Sequence, residues 1–132
     1  MNAGECWLRL RVRYVECDAM GYVHHSHFLT YFEMGRTELL RRGGISYREL
    51  EARGFFFVVV KISASYKRPA RYDDELELLT RITNQTRVRI DHGYALYHAD
   101  SRRLLCEAAS TIACVDRDGK VVAIPDFLRS GI

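Results

Sequence analysis

Apolar and polar residues alternate along several segments of the chain, and this period of two predicts β-strands. Residues 7–14 place leucine, valine and tyrosine on one face and three arginines on the other, as expected of a strand half buried in a core. The same pattern recurs at residues 56–66, 75–83, 87–98 and 104–115. Short connections join the last three segments, which favours antiparallel neighbours in one sheet.

One long helical pattern occupies residues 27–42. Its apolar stripe recurs at spacings of four, three and four, as Phe28, Phe32, Gly35 and Leu39. Ser26 is the expected N-cap, and the glycines at 43 and 44 are expected to end the helix. Gly35 is unusual there, because glycine inside a helix costs about 1 kcal/mol relative to alanine. We therefore expect the helix to lie tightly against a sheet at Gly35.

The remaining elements are short. Ser46 and Glu49 form a capping-box pattern that predicts a second helix over residues 46–53. A turn near the C-terminus leads to a short strand expected at residues 120–123. One long helix beside one sheet predicts a single α+β domain over residues 1–132, with an antiparallel sheet of about five strands wrapped around the helix.

Composition limits the possible functions. The 132-residue chain is 48% hydrophobic and 28% charged, as in globular domains. A formal net charge of +3 favours anionic ligands but falls short of the basic surface of a nucleic-acid-binding protein. The four cysteines form no C-x-x-C pair, which favours reduced thiols in the cytoplasm. We expect no secretory signal and no membrane span, because no apolar run is long enough for either.

The segment with the clearest chemistry lies directly before the long helix. Asp18 and Gly21 precede a histidine-rich run, made of His24, His25, Ser26 and His27. A helix N-terminus offers unpaired backbone N–H groups and a partial positive charge, which can polarise a carbonyl group beside a carboxylate. The competing interpretation is that Asp18 only accepts hydrogen bonds from its own loop, as in an Asx-turn.

Two other chemistries have weaker support. The histidines of residues 24–27 invite a metal site, but a zinc centre needs three or four organised ligands and no second ligand cluster stands at a standard spacing. We therefore expect neither a metal nor a cofactor. Cys17 lies beside Asp18, whose negative charge raises the pKa of a thiol and disfavours a thiolate nucleophile.

Two segments resemble the 4-hydroxybenzoyl-CoA thioesterase family of hotdog-fold acyl-CoA thioesterases. They are Tyr14-Val-Glu-Cys-Asp-Ala-Met-Gly-Tyr-Val-His-His-Ser-His-Phe28 and Tyr31-Phe-Glu-Met-Gly-Arg-Thr-Glu-Leu-Leu40. Ala64-Ser-Tyr66, Pro69-Ala70 and Tyr72-Asp-Asp74 are similar to the second strand and following turn of that family. The resemblance covers about residues 8–115 and is strongest to the bacterial branch associated with the Tol–Pal gene cluster.

The resemblance implies a hotdog fold that hydrolyses acyl-CoA to free acid and CoA. Asp18 matches the catalytic carboxylate of the family, and His25 matches the residue whose backbone N–H opens the central helix and faces the thioester carbonyl. Gly21 matches the turn glycine. His24 stands where an aromatic residue is common and Met20 where glycine or alanine is common, so the family's acyl preference is not carried over. We expect His24 to shape the pocket.

Coenzyme A carries phosphates, so a thioesterase needs cations near the mouth of its site. The resemblance places Arg87 in a basic run that contacts the nucleotide, and Arg89 follows on the same strand. A second basic cluster flanks Pro69, at Lys67, Arg68 and Arg71. Ser65 and Tyr66 are expected to line the acyl pocket, although Tyr66 suits a core position equally well.

The resemblance also implies a homodimer, joined edge to edge at residues 56–66, that often pairs again into a homotetramer. Edge strands are liabilities when left open, which supports such pairing. Two alternatives remain for the function. One is a hotdog dehydratase or hydratase, which the D-x-x-G-x-x-H order disfavours, and the other is a non-catalytic protein that binds acyl-CoA or an acyl carrier protein.

Overall fold

The computed structural model of the protein describes residues 4–129. Its strands are β1 (Glu5–Arg11), β2 (Phe56–Tyr66), β3 (Glu75–Gln85), β4 (Arg89–His98) and β5 (Leu104–Val115). Its helices are α1 (His25–Arg42), α2 (Tyr47–Ala52) and α3 (Asp126–Arg129), with a 3₁₀ turn at Tyr14–Glu16. The strands form one antiparallel sheet in the order β1-β3-β4-β5-β2. The α+β expectation is confirmed.

Helix α1 crosses the sheet at the glycine that the sequence singled out. A Cβ at Gly35 would overlap Thr80 Oγ1 and would lie 2.8 Å from Leu78 Cδ2. Both partners are buried residues of β3. Glycine is therefore required here by close approach of the helix to the sheet, and the expectation for Gly35 is confirmed.

The core has two parts, one on each half of α1. The first surrounds the N-terminal half and includes Phe28, Phe32, Leu78 and Leu96. The second lies under α2 and α3 and includes Leu50, Ile90, Ile124 and Leu128. Burial of these apolar side chains fixes the position of α1, and therefore of its N-terminus, against the sheet.

Several boundaries differ from the sequence prediction. The predicted N-cap, Ser26, is wrong: α1 begins at His25 because the side chain of His24 accepts a hydrogen bond from the Ser26 amide. The first strand ends at Arg11, where Val12 exchanges backbone hydrogen bonds with the turn at Asp73 and Asp74. The strand expected at residues 120–123 is reduced to a single bridge between Val115 and Val121.

Strand β2 forms one edge of the sheet, and three consecutive valines of this strand are exposed. Val58, Val59 and Val60 are about half exposed. The pairing register with β5 shifts between Val59 and Lys61, so the usual alternation of buried and exposed residues is interrupted there. An apolar open edge of this kind is a surface for strand pairing.

Candidate active site

Asp18 begins the turn of a short hairpin whose second strand leads directly into α1. Cys17 and Val23 form an antiparallel bridge, and the Asp18 amide donates to the Tyr22 carbonyl oxygen at 2.8 Å. Gly21 closes the turn with a positive φ of 81°, a conformation that residues with side chains rarely adopt. The hairpin therefore carries an exposed carboxylate beside the segment from which the helix starts.

One oxygen of the Asp18 carboxylate holds the loop. Oδ1 accepts hydrogen bonds from the Met20 amide at 2.9 Å and from the Tyr22 amide at 3.2 Å. The loop-capping interpretation of Asp18 is thus correct for this oxygen. Within residues 4–129, Oδ2 has no hydrogen-bond partner. The backbone fixes the carboxylate while one oxygen stays open to solvent.

A buried carboxylate joins this hairpin to α1. Glu16 is 3% exposed, and its Oε1 accepts from the Arg13 amide at 2.8 Å and from the Tyr31 hydroxyl at 2.7 Å. Its carbonyl oxygen accepts from the His24 amide at 2.9 Å. Burial raises the pKa of Glu16, but the hydrogen bonds from Arg13 and Tyr31 to the carboxylate outweigh burial and hold the pKa below its ordinary value. Burial and the Glu16 carboxylate in turn raise the pKa of Tyr31.

The first turn of α1 exposes backbone donors. The Ser26 amide donates a hydrogen bond to His24 Nδ1 at 3.2 Å, and the His27 amide donates to the His24 carbonyl oxygen at 2.9 Å. The His25 amide, by contrast, has no acceptor among the described residues. Because the amides of the first helical turn cannot pair inside the helix, that of His25 is free to bind a ligand oxygen.

Tyr66 at the end of β2 lies against this helix start. Its hydroxyl donates to the His25 carbonyl oxygen at 3.4 Å, and its ring is 5.3 Å from that of Phe28. Tyr66 is nevertheless about half exposed, so the ring closes one side of the site without entering the core. Ser65 is the neighbouring residue on β2 and is exposed, and alternation directs its side chain to the opposite face of the strand.

The structure brings together five of the residues predicted for the site: Asp18, Gly21, His24, His25 and Tyr66. Arg87 and Arg89 lie elsewhere within the chain. Arg89 pairs with Ala113, which pairs with Val58 near the start of β2, whereas Tyr66 ends that strand. In one chain, these two arginines are therefore at the opposite end of the sheet from the site.

The second basic cluster lies beside the Asp18 hairpin instead. Arg71 forms a bridge with Tyr22, and its guanidinium stacks 5.0 Å from the centre of the Tyr22 ring. The Val23 amide donates to the Ala70 carbonyl oxygen at 2.8 Å, which fixes the whole segment against the hairpin. Of the cations that the sequence proposed, Arg71 therefore contacts the loop that bears Asp18.

Sequence reasoning missed a polar cluster beneath α1. Arg36 donates to the Tyr94 hydroxyl at 2.9 Å, and Tyr94 and Ser110 share a hydrogen bond of 2.6 Å. His92 is 5% exposed, and burial, followed by the charge of Arg36, lowers its pKa to about 4. The signal in the sequence was the placement of His92, Tyr94 and Ser110 at inward-facing strand positions, where polar residues are unusual.

The competing chemistries find little support. Burial, together with Glu16, Asp18 and Asp74, raises the pKa of Cys17, which disfavours a thiolate. Across residues 4–129, no three histidine, cysteine, aspartate or glutamate side chains are grouped so that they could hold a metal ion. No helix in that part of the chain is long and apolar enough to span a membrane.

An antiparallel sheet packed on one long helix is the architecture of the hotdog fold. The chain belongs to the Thioesterase-like superfamily, whose family model matches residues 12–132. The resemblance to hotdog thioesterases seen in the sequence is thereby confirmed.

Relatives of known name agree with this assignment. The acyl-CoA thioester hydrolase YbgC of Escherichia coli is 37% identical over 81% of this chain and 79% of its own length. The acyl-CoA thioesterase YbgC of Haemophilus influenzae is 33% identical over 92% of this chain and 89% of its own. A crystal structure of a hypothetical protein from Aquifex aeolicus superposes with a TM-score of 0.90 at 31% identity, covering 96% of this chain and 98% of the other.

Proposed function

We propose that this protein hydrolyses acyl-CoA thioesters to free acid and CoA, with Asp18 as the catalytic carboxylate and the N-terminus of α1 as the oxyanion site. The observation that carries the proposal is that one short segment holds two groups with unused hydrogen-bonding capacity. Asp18 has an oxygen without a partner, and the hairpin that holds Asp18 ends at a helix whose His25 amide has no acceptor among the described residues. The names of the YbgC relatives support the choice of acyl-CoA as substrate.

The helix N-terminus suits the charge that develops during the reaction. Attack on a thioester places negative charge on its carbonyl oxygen. The His25 amide and the dipole of the 18-residue helix α1 stabilise that charge without having to reorganise. His25 acts through its backbone, so the imidazole can be replaced with little loss. Losing an oxyanion donor of this kind costs about 10²- to 10³-fold in rate.

Asp18 can serve this reaction in two ways. As a nucleophile, a carboxylate oxygen bonds to the carbonyl carbon, the C–S bond breaks, and water hydrolyses the resulting anhydride. As a general base, the carboxylate takes a proton from water, whose oxygen attacks the carbonyl carbon as the CoA thiolate leaves. Single turnover in ¹⁸O-labelled water separates the two, because only the anhydride route exchanges label with the Asp18 carboxylate.

A homodimer joined through β2 would complete the site. Antiparallel pairing of two copies across a two-fold axis brings the Phe57 end of one β2 beside the Tyr66 end of the other. The partner copy would then bring its Arg87 and Arg89 to the end of the sheet where Tyr66 lies. The apolar exposed edge at Val58, Val59 and Val60 supports this pairing. Assembly into tetramers, cytoplasmic location and membership of the Tol–Pal-associated branch stay proposals that rest on the sequence resemblance.

The test is hydrolysis of a panel of acyl-CoAs, followed through the released thiol. Asp18→Asn preserves an oxygen for the Met20 and Tyr22 amides, so the loop should keep its shape while turnover falls by about 10² or more. Asp100→Asn, at an exposed aspartate in the β4–β5 turn, is the matched control and should retain full activity. Turnover that survives in Asp18→Asn contradicts the mechanism. Tight acyl-CoA binding without turnover in the wild type would instead support the non-catalytic alternative, in which Asp18 only caps its loop.

A further inference from the structure

A cavity of about 290 Å³ lies between the second half of α1 and the concave face of the sheet. Most of its wall is apolar and includes Phe57, Ile112 and Leu128. Arg36, Thr37 and His92 provide polar groups. A mostly apolar cavity with a few placed polar groups is the usual form of a small-molecule site.

The positive charge of Arg36 is not balanced by a carboxylate of residues 4–129. The guanidinium donates to the Tyr94 hydroxyl, and no carboxylate of residues 4–129 lies within ion-pair distance of it. Arg36 is half-buried, so the missing counter-charge is not fully replaced by water. Glu33 lines the same cavity one helical turn earlier but is exposed, where solvent screens its charge.

His92 adds a second incomplete polar group. Its Nδ1 is buried without a hydrogen-bond partner among the described residues. Because the lowered pKa keeps the imidazole neutral at pH 7, His92 can offer a hydrogen bond without a competing positive charge. Arg36 and His92 therefore leave hydrogen-bonding capacity around the cavity that the protein does not satisfy.

One face of α1 runs from the proposed reaction site towards this cavity, whose wall includes Glu33 and Arg36 but not His25 or Leu29. His25, Leu29, Glu33 and Arg36 recur at spacings of four, four and three, and therefore lie along one side of the helix. Arginine side chains on helices lean towards the N-terminus, so the guanidinium lies about two turns, or about 11 Å, from His25 along the axis. This is the span of a medium-length acyl group, which is longer than a single aromatic ring.

We propose that the cavity holds the far end of the acyl group and that Arg36 selects acyl groups that end in a carboxylate. This inference rests on the proposed thioesterase function, because it takes the His25 amide as the position of the thioester. Arginine binds carboxylate oxygens through its planar fork of N–H donors, which explains why a carboxylate is favoured over a methyl terminus. The apolar wall accommodates the intervening methylene groups.

The experiment measures binding, so that it does not depend on turnover. Asp18→Asn protein is titrated calorimetrically with adipyl-CoA, hexanoyl-CoA and 6-hydroxyhexanoyl-CoA, which share six acyl carbons and differ at the far end. We expect adipyl-CoA to bind at least about tenfold more tightly than hexanoyl-CoA, as for a hydrogen bond to a charged group. Adding Arg36→Met should abolish that ratio, because the adipyl carboxylate loses its guanidinium partner.

Two further variants keep the test decisive. Arg48→Met makes the same substitution at an exposed position of α2 and should leave the ratio intact. Arg36→Lys keeps the charge without the forked geometry and should retain a reduced preference, which provides a folded variant if Arg36→Met is unstable. Equal affinities for adipyl- and hexanoyl-CoA, or a preference that survives Arg36→Met, overturn the inference. A gain confined to the hydroxyl-ended ligand also overturns it.

Failure of the inference and failure of the proposed function give different results. Wild-type protein that hydrolyses no member of the acyl-CoA panel refutes the thioesterase mechanism, whatever the affinities of the three six-carbon ligands. Hydrolysis of all three with equal affinities in the Asp18→Asn background leaves the mechanism standing and removes the selective role of Arg36.

Discussion

His92 should make the stability of the protein fall steeply in mild acid. Burial and the charge of Arg36 hold its pKa at about 4, although Asp91 acts in the opposite direction, whereas an unfolded chain has the ordinary value of 6.5. Between these two values the unfolded state binds more protons, so lowering the pH favours unfolding. The stabilisation is fully present above about pH 6.5 and is lost as the pH falls towards 4.

The size of the effect follows from the shift. A separation of about 2.5 pKa units corresponds to about 3 kcal/mol in the free energy of unfolding once both states are protonated. At pH 5 the loss relative to pH 7.5 should already be about 2 kcal/mol, because the unfolded chain is then mostly protonated and the folded one is not.

The assay compares wild type with His92→Phe in urea unfolding at pH 7.5, 6 and 5. Phenylalanine keeps a ring beside Tyr94, whose ring stacks 6.2 Å from that of His92, and it cannot titrate. It also removes the unpartnered Nδ1, so we expect no loss of stability at pH 7.5. Two carboxylates also titrate in acid. Hydrogen bonds from Arg13 and Tyr31 lower the pKa of Glu16 despite its burial. Hydrogen bonds from Arg42 and Arg41 do the same for Glu38. Acid weakens both variants equally through these groups, so the difference between the variants isolates His92.

Parallel stability curves for the two proteins between pH 7.5 and 5 would refute this account of His92. So would a wild type that gains stability relative to His92→Phe as the pH falls, because that result would require a raised pKa in the folded state.

Three further predictions concern the frame of the site. Gly35→Ala should destabilise the protein by about 1–3 kcal/mol, because the new methyl group overlaps Thr80. The higher helix propensity of alanine offsets about 1 kcal/mol of this cost. Adding Thr80→Ala should restore part of the lost stability in thermal melts. Tyr31→Phe should cost about 1.5–3 kcal/mol in urea unfolding, because it removes a hydrogen bond to the buried Glu16 carboxylate. The same variant should lower kcat more than it raises KM, because Glu16 joins the Asp18 hairpin to α1. Ser46→Ala should cost about 1 kcal/mol in urea unfolding, because it removes the hydrogen bond that caps α2, and an unchanged free energy of unfolding would contradict the role of Ser46 as N-cap.

Local patterns predicted most elements because their physics is local. Strands at 56–66 and 104–115 match β2 and β5 residue for residue, since alternation and flanking turns define them without tertiary contacts. The start of α1 was misplaced by two residues, because the choice of cap depended on whether His24 or Ser26 supplied the side-chain acceptor. Serine is a preferred N-cap and histidine is not, so propensity favoured Ser26, whereas in the structure His24 Nδ1 accepts the hydrogen bond from the Ser26 amide.

The candidate site was predicted unevenly. Asp18, Gly21 and His25 lie within eight residues of one another, so a sequence motif could identify them together. Arg87 and Arg89 were expected near the same site, but the sheet order places them at its far end within one chain. Their expected role depends on a second copy, and that dependence follows from topology, which no local pattern contains.

By itself, the sequence determined where chain direction changes, which faces are apolar and which short motif holds a carboxylate before a helix. These follow from side-chain periodicity, turn residues and spacing along the chain. Only the tertiary structure decided that Asp18 keeps one oxygen in the loop and one free, and that Glu16 is buried against Tyr31. It alone placed Arg36 beside His92 under the helix. Those residues are distant along the chain, and packing of the helix against the sheet brings them together.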